Sequence, residues 1–361
     1  MERAPCDTQL RTLLDPVDPA HLRPAFRAVH RHLQRHKALA PYRYLEGYYL
    51  VSIDGTGQFA SSEISCPDCC TQTSKGQTRS YHQRLGAVLV HPDLKTVLPL
   101  VPEAITRQDG ARKNDCERNA AKRLLPQLRQ DYPQLKWLVV EDRLAANGPP
   151  LELLQSLNLR YLIHVKPGDQ AALFAAVPDK LWAGECHDWE YTDAQGVAHG
   201  YRGCHDLPLN QSHPQLRVNF LEYWEIDGDQ PRLFSWITAI KVTRDKVQPL
   251  LRGGRARWKV ENETFNTLKN QGYQLEHHYG HGQQHLATVF ACLMRLAFLV
   301  DQVQALSGRL FQAARAHFHS RTSRWERLRA LFTDYFIPDW KTLWEAIASG
   351  PVPAVLVPDT S

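Results

Sequence analysis

No run in the sequence approaches the roughly 18 apolar residues that a bilayer-spanning helix needs, so a membrane protein is not expected. The opening residues, MERAPCDTQLRTLLDPVDP, carry charges and prolines where a signal peptide needs an apolar block. A cytoplasmic chain is therefore expected. There is no internal repeat, and no low-complexity tract before the Pro/Val-rich tail from residue 350. What is present is ordinary globular composition, 361 residues with 43% hydrophobic and 22% charged side chains, which excludes a disordered chain. A prior of roughly 150 residues per domain gives two to three domains or one elaborated core.

Charge of one sign is only mildly in excess, 43 Lys and Arg against 38 Asp and Glu, and that alone does not specify a nucleic-acid partner. The distribution says more. Residues 241 to 259 carry Lys241, Arg244, Lys246, Arg252, Arg255, Arg257 and Lys259 against Asp245 alone. A second basic stretch holds Arg309, Arg315, Arg321, Arg324, Arg327 and Arg329. The eight cysteines are read as thiols or metal ligands rather than disulfides, as suits a cytosolic chain of this size.

Residues 1–48 are expected to be helical, with Leu22, Phe26, Val29 and Leu33 on one helix face. YLVSIDGTG then reads as a buried strand ending in Asp54 before a Gly-rich turn. RSYHQRLGAVLV and TVLPLVP read as the second and third strands of an antiparallel pair. An amphipathic helix follows from 115 with Asp115 as N-cap. LKWLVVED is a fourth strand ending in Glu141 and Asp142; a short helix and a fifth strand, RYLIHVK, come next. This β-β-β-α-β-α-β order, with acids ending the first and fourth strands, is that of an RNase H-like mixed-sheet α/β core. Residues 180–245 are expected to form a β-rich insertion into that core, whose parts are 49–179 and 246–300. The flanks, 1–48 and 301–361, are helical.

Asp54 and Asp142 each end an apolar run, so adjacent parallel strands would bring both carboxylates to one sheet edge. Two close carboxylates repel unless a cation lies between them, and Mg²⁺ or Mn²⁺ takes such hard oxygen ligands. A third acid completes a two-metal phosphoryl-transfer site. It is sought in RARWKVENETFNTLKNQGYQLEHHYGHG, which supplies Glu261 and Glu263, with Arg257 and Glu261 at i, i+4 on one helix face.

On YLVSIDGTG, DGARKNDCERNAAKRLL, LVVEDRLAANGPP, YLIHVKPGD and the Arg257-Trp258-x-Val260-Glu261 run, the sequence resembles bacterial insertion-sequence transposases of the DDE superfamily, in the broad group named for insertion sequence four. The resemblance covers about residues 45 to 300. It implies an RNase H-like catalytic core with Asp54, Asp142 and Glu261 as catalytic, metal-binding acids. It further implies DNA cleavage and strand transfer at element ends, double-stranded DNA as partner, action as a synaptic homodimer, and a bacterial, nucleoid-associated location. Gly254 and Leu268 stand where the group's signature has Tyr and Lys, which marks a divergent subgroup. Arg252, Arg255, Arg257, Lys259, Lys269 and Lys166 are the expected phosphate contacts. Glu141 and Glu263 are read as non-liganding neighbours. The alternative is a catalytically inactive or domesticated DNA-binding derivative.

Cys66, Cys69 and Cys70 lie in ISCPDCC. Cys-x-x-Cys is half of a zinc site, and the rest would have to come from His82, Cys116, Cys186-His187 or Cys204-His205. With no second Cys-x-x-Cys, these are read as free thiols in a loop rather than as structural zinc ligands. His277, His278, His281 and His285 are read as solvated or DNA-facing.

Overall fold

The computed structural model describes residues 5–107, 114–227, 230–349 and 357–358. The DGARK part of one family-like stretch and the tail from 350, apart from 357–358, lie outside the described residues.

Nine strands give the main path of one large mixed sheet: β1 (Tyr48–Ser61), β2 (Cys70–Ser74), β3 (Gln77–Val90), β4 (Trp137–Glu141), β5 (Arg160–Val165), β6 (Cys186–Thr192), β7 (Ala198–Pro208), β8 (Arg217–Asp227) and β9 (Gln230–Thr238). Their order across the sheet is β2-β3-β1-β4-β5-β9-β8-β7-β6. β1, β4 and β5 run parallel, and the other pairings on this path are antiparallel. The parallel strands are buried on both faces over their paired length, as such strands require. On one side Val51, Ile53 and Val139 pack under α1 (Arg23–Arg35), α2 (Glu117–Asp131), α3 (Gly148–Ser156) and α4 (Ala171–Trp182). On the other, Leu50, Leu138 and Val140 pack under α5 (Val247–Arg255) and the helical turns to Asn270. The period-two alternation of strand side chains produces this division.

Several expectations are corrected. β1 does not end at Asp54 but runs to Ser61, because β3 pairs with it through Gly55, Thr56 and Gly57. Only the parallel ladder to β4 stops short, at Ser52 opposite Val140. TVLPLVP is not the third strand: it gives only Leu98 and Pro99 to β3, since prolines 99 and 102 cannot donate to a ladder. The sheet edge is β2. Asp115 is not the N-cap of α2; Cys116 is, while Asp115 accepts from the Cys116 N–H and pairs with Arg123. The aromatic-rich β6–β9 segment continues the same sheet, because β9 pairs with β5 from Ser235–Val165 to Thr238–Leu162. Two cysteines are oxidised: Cys186 and Cys204 lie directly opposite on β6 and β7, with Cα atoms 4.4 Å apart, and form a disulfide.

The expectation about apolar runs also changes. Helix α6 (Leu286–Ser307) has 22 residues and contains an 18-residue stretch of mean hydropathy 1.7, long and apolar enough to cross a membrane by length and composition. Here 56% of that stretch is buried within the fold, and it carries Arg295 fully buried. Among the described residues the Arg295 guanidinium has no hydrogen-bond partner, and it lies over the Phe265 ring at 5.4 Å. Burial lowers its pKa to about 10. A Cβ on Gly86 would meet both terminal guanidinium nitrogens at 2.7 Å and Phe265 Cε1 at 2.9 Å. Gly86→Ala is therefore expected to destabilise the chain by about 1–3 kcal/mol through overpacking, read as a lower urea midpoint; an unchanged midpoint would show that the Arg295–Phe265 pair gives way freely.

Candidate active site

The carboxylates converge at the end of the parallel ladder. Carried two residues past Ser52–Val140, the register sets Asp54 level with Asp142. Asp54 shares the sheet face of Leu50 and Ser52, and Ser52 Oγ donates to the Arg257 carbonyl at 2.9 Å. That bond seats the helical turn of Glu261 against β1. Arg257 Nη1 then donates to Asp54 Oδ2 at 2.7 Å and to Glu261 Oε1 at 3.0 Å. The i, i+4 pair expected from spacing is present, and it has a third member from a strand two hundred residues away. Glu261 sits in a π-helical turn, Val260–Phe265, a local widening that recurs at functional sites.

Asp54, Glu117, Glu141 and Asp142 line one cleft between the sheet edge and helices α2 and α3. Asp142 Oδ1 accepts the Leu144 N–H at 2.9 Å, and Asp54 Oδ1 accepts the Gly55 N–H at 2.8 Å. Burial, a proton shared with Glu261 and that carboxylate's charge push the Asp54 carboxyl up to about 7, against the pull of Arg257. Burial, with the charges of Asp142, Asp54 and Glu117, pushes Glu141 up to about 8. Glu117 is raised too, by burial and by Asp142. So much negative charge in a half-buried cleft is a demand for cations.

Glu117 is the residue that sequence reasoning missed. It begins α2, accepts from Gln83 Nε2 at 3.1 Å, and fills the space that a side chain at position 55 would need: a Cβ on Gly55 would lie 1.8 Å from Glu117 Oε1. The glycine after Asp54 was the available signal. Glu141, read as a bystander, faces the same cleft; neither Glu261 nor Glu263 lines it, and Glu261 is joined to Asp54 through Arg257. Exposed Arg118 and Lys122, one turn apart on α2, stand at the cleft wall and were also missed.

The expected phosphate contacts are differently placed. Arg252 pairs with Asp93, Arg255 with Glu225 while lying over the Tyr223 and Phe234 rings, and Lys259 donates to the Leu94 carbonyl. Lys269 pairs with Glu276 at 2.8 Å, and Lys166 is exposed just past β5. In the second basic stretch Arg324 is buried and paired with Asp301. Where the family signature has Tyr and Lys, Gly254 is overlaid by the Trp236 indole, which leaves a Cβ only 2.5 Å, and Leu268 is fully buried. Position 254 therefore has no room for the signature Tyr.

The cysteines and histidines bring a second correction. Cys66 and Cys69, read as free loop thiols, meet His82 of β3 and His281, read as solvated, with all four ligand atoms within 4.8 Å of one another. Cys116 is exposed and apart, and Cys186 and Cys204 are bonded to each other.

No protein-family model matches the chain, and no curated protein matches it in sequence. Among solved structures it is similar to a piggyBac transposase in a synaptic complex with hairpin DNA, at a TM-score of 0.39 and 12% identity, over 95% of this chain and 66% of that one.

Proposed function

We propose that this chain is a divalent-metal-dependent DNA phosphoryl transferase of the transposase kind, with an RNase H-like core, in which Asp54, Asp142 and Glu261 are the metal-binding acids. The observation that carries the proposal is the junction of Asp54 and Glu261 on one guanidinium, with Asp142 lining the cleft beside Asp54. The parallel β1, β4 and β5 with antiparallel β3 and β2 on one flank support the same core.

The donor set fits hard cations: oxygen only, crowded, and with Glu141 and Asp54 held towards protonation by burial and by neighbouring carboxylates. Arg257 occupies the place of a cation between two of the acids. Mg²⁺ or Mn²⁺ bound here would supply activation of a water or 3′-hydroxyl and neutralisation of the leaving oxygen. Asp54, Asp142 and Glu261 would hold it. Arg257, released from Asp54, would turn its fork towards a phosphate next to the scissile bond. Glu117, packed against Gly55, would keep the strand at Asp54 in place.

The test is nicking of a plasmid that carries the gene with its flanking DNA, with Mg²⁺ present or withheld. Mg²⁺-dependent nicking and joining at the flanks supports the proposal. Tight binding of the flanks without nicking in Mg²⁺ or Mn²⁺ assigns the chain to an inactive DNA-binding derivative instead.

Phosphate contacts are assigned first to Arg118 and Lys122, which stand exposed beside the acids. Replacing both by Ala is expected to flatten the log–log salt dependence of duplex binding by about 1–2 units, at about 0.9 per lost phosphate contact. Arg252→Ala with Arg255→Ala is expected to change it less, because Asp93 and Glu225 already neutralise those charges. A larger effect from the second pair would place the DNA along α5 rather than α2.

A further inference from the structure

We propose that Cys66, Cys69, His82 and His281 form a closed tetrahedral zinc site that clamps the segment following the Glu261 helix onto the strand pair carrying Asp54. The proposal is independent of the DNA-cleaving one. Cys66 Sγ lies 3.4 Å from Cys69 Sγ and 3.2 Å from His82 Nε2; Cys69 Sγ lies 3.4 Å from His82 Nε2 and 3.0 Å from His281 Nδ1. A tetrahedral zinc with ordinary Zn–S and Zn–N bonds separates its ligand atoms by about 3.3–3.8 Å. Four of the six pairs, at 3.0–3.4 Å, lie at or just inside the spacing of such a shell, and the whole set spans no more than 4.8 Å; two thiols with two imidazoles is a set that favours zinc over hard cations.

The site is built rather than accidental. Cys69, His82 and His281 are buried, at 1%, 3% and 4% exposure, yet they are polar groups drawn from three separate segments. Phe59 packs against His82 and His281 with ring centroids 5.2 and 4.8 Å away. His281 is presented between Gly280 and Gly282, both at positive φ, where a side chain would be strained. Behind it, Asp15 accepts the backbone N–H groups of Gln283, Gln284 and Leu286, fixing the loop from the other side. Four protein ligands leave no open position, so the metal is structural and not catalytic. Its consequence is mechanical. Glu261 reaches its place through α5 on one side only; the His281 ligand would secure the chain on the other side, to the loop between β1 and β2.

Metal content of the full-length chain, purified from zinc-supplemented cells without chelator, tests this. The wild type is expected to carry about one zinc per chain, and exchange with Co²⁺ should give the ligand-field bands of a tetrahedral site with thiolate charge transfer. Cys69→Ser and His281→Ala should each lower zinc to below about one-fifth of wild type, while Cys116→Ser and His277→Ala keep it, as a four-ligand site predicts. If the ligand variants fail to fold, the wild-type zinc content and cobalt spectrum decide alone. Wild-type protein without zinc that also gives no thiolate-to-cobalt absorption overturns the site, and so does zinc retained in full by both ligand variants.

Discussion

Asp54→Asn, Asp142→Asn and Glu261→Gln are each expected to cut Mg²⁺-dependent cleavage of flanking DNA to below about one-hundredth of wild type; even outer-shell partners of a metal ligand cost 10–100-fold. Duplex binding should change little, because phosphate contacts come from other side chains. The amides keep size and shape. An amide at position 54 would still accept the Gly55 N–H that Asp54 accepts now, so lost folding is not the expected cause. Glu263→Gln is the neutral control. Glu117→Gln and Glu141→Gln are expected to be intermediate, since both carboxylates line the cleft without touching Arg257. A single substitution among the three acids that leaves cleavage near wild type in Mg²⁺ removes that residue from the metal site.

The second large effect is on stability. Metal-free protein is expected to lose stability as pH rises from 5 to 8, and Mg²⁺ to restore it, more at pH 8 than at pH 5.5. The sign follows from Glu141 at about 8 and Asp54 at about 7, both above the ordinary carboxylate range. Between that range and these values the folded chain holds protons that the unfolded chain has released. Unfolding free energy therefore falls with pH, by at most about 1.4 kcal/mol per unit for each such proton. The contribution is fully present in acid and lost as pH climbs through 7 and 8. A cation bound to the ionised carboxylates replaces the proton and stabilises by mass action, which is why its effect grows with pH. Glu141→Gln should flatten the slope. A Tm that is level over this range, or an equal Mg²⁺ shift at both pH values, would show that the acids are not starved of positive charge. Mg²⁺ should be withheld rather than stripped with chelator in these experiments, since a strong chelator would also attack a zinc site at Cys66, Cys69, His82 and His281.

The readable parts of the sequence were those governed by short-range rules. The apolar runs of β4 and β5 are long enough and β-rich enough to declare buried strands, and both formed where expected. The Phe26 and Leu33 face of α1 is buried as its spacing requires. Arg257 and Glu261, four apart on one helical path, meet as such pairs must. Strand ends were harder. Gly55 and Gly57 looked like a turn, yet glycine in a strand also marks a close approach, and at Gly55 it makes room for Glu117.

What the sequence by itself determined was therefore the strands β1, β3, β4 and β5, the helices between them and the acids carried on β1, after β4 and on the Glu261 turn, but not β2, which it read as a loop. Only the tertiary structure decided which side chains from distant segments share a site. It brought Glu117 to the acids, gave Arg252 and Arg255 carboxylate partners, joined Cys186 to Cys204, and set His281 against Cys69 across 212 residues. The physical reason is range. Periodicity and i, i+4 spacing act within a few residues of chain, whereas these contacts follow from how the two buried faces of one sheet select the helices and loops that cover them.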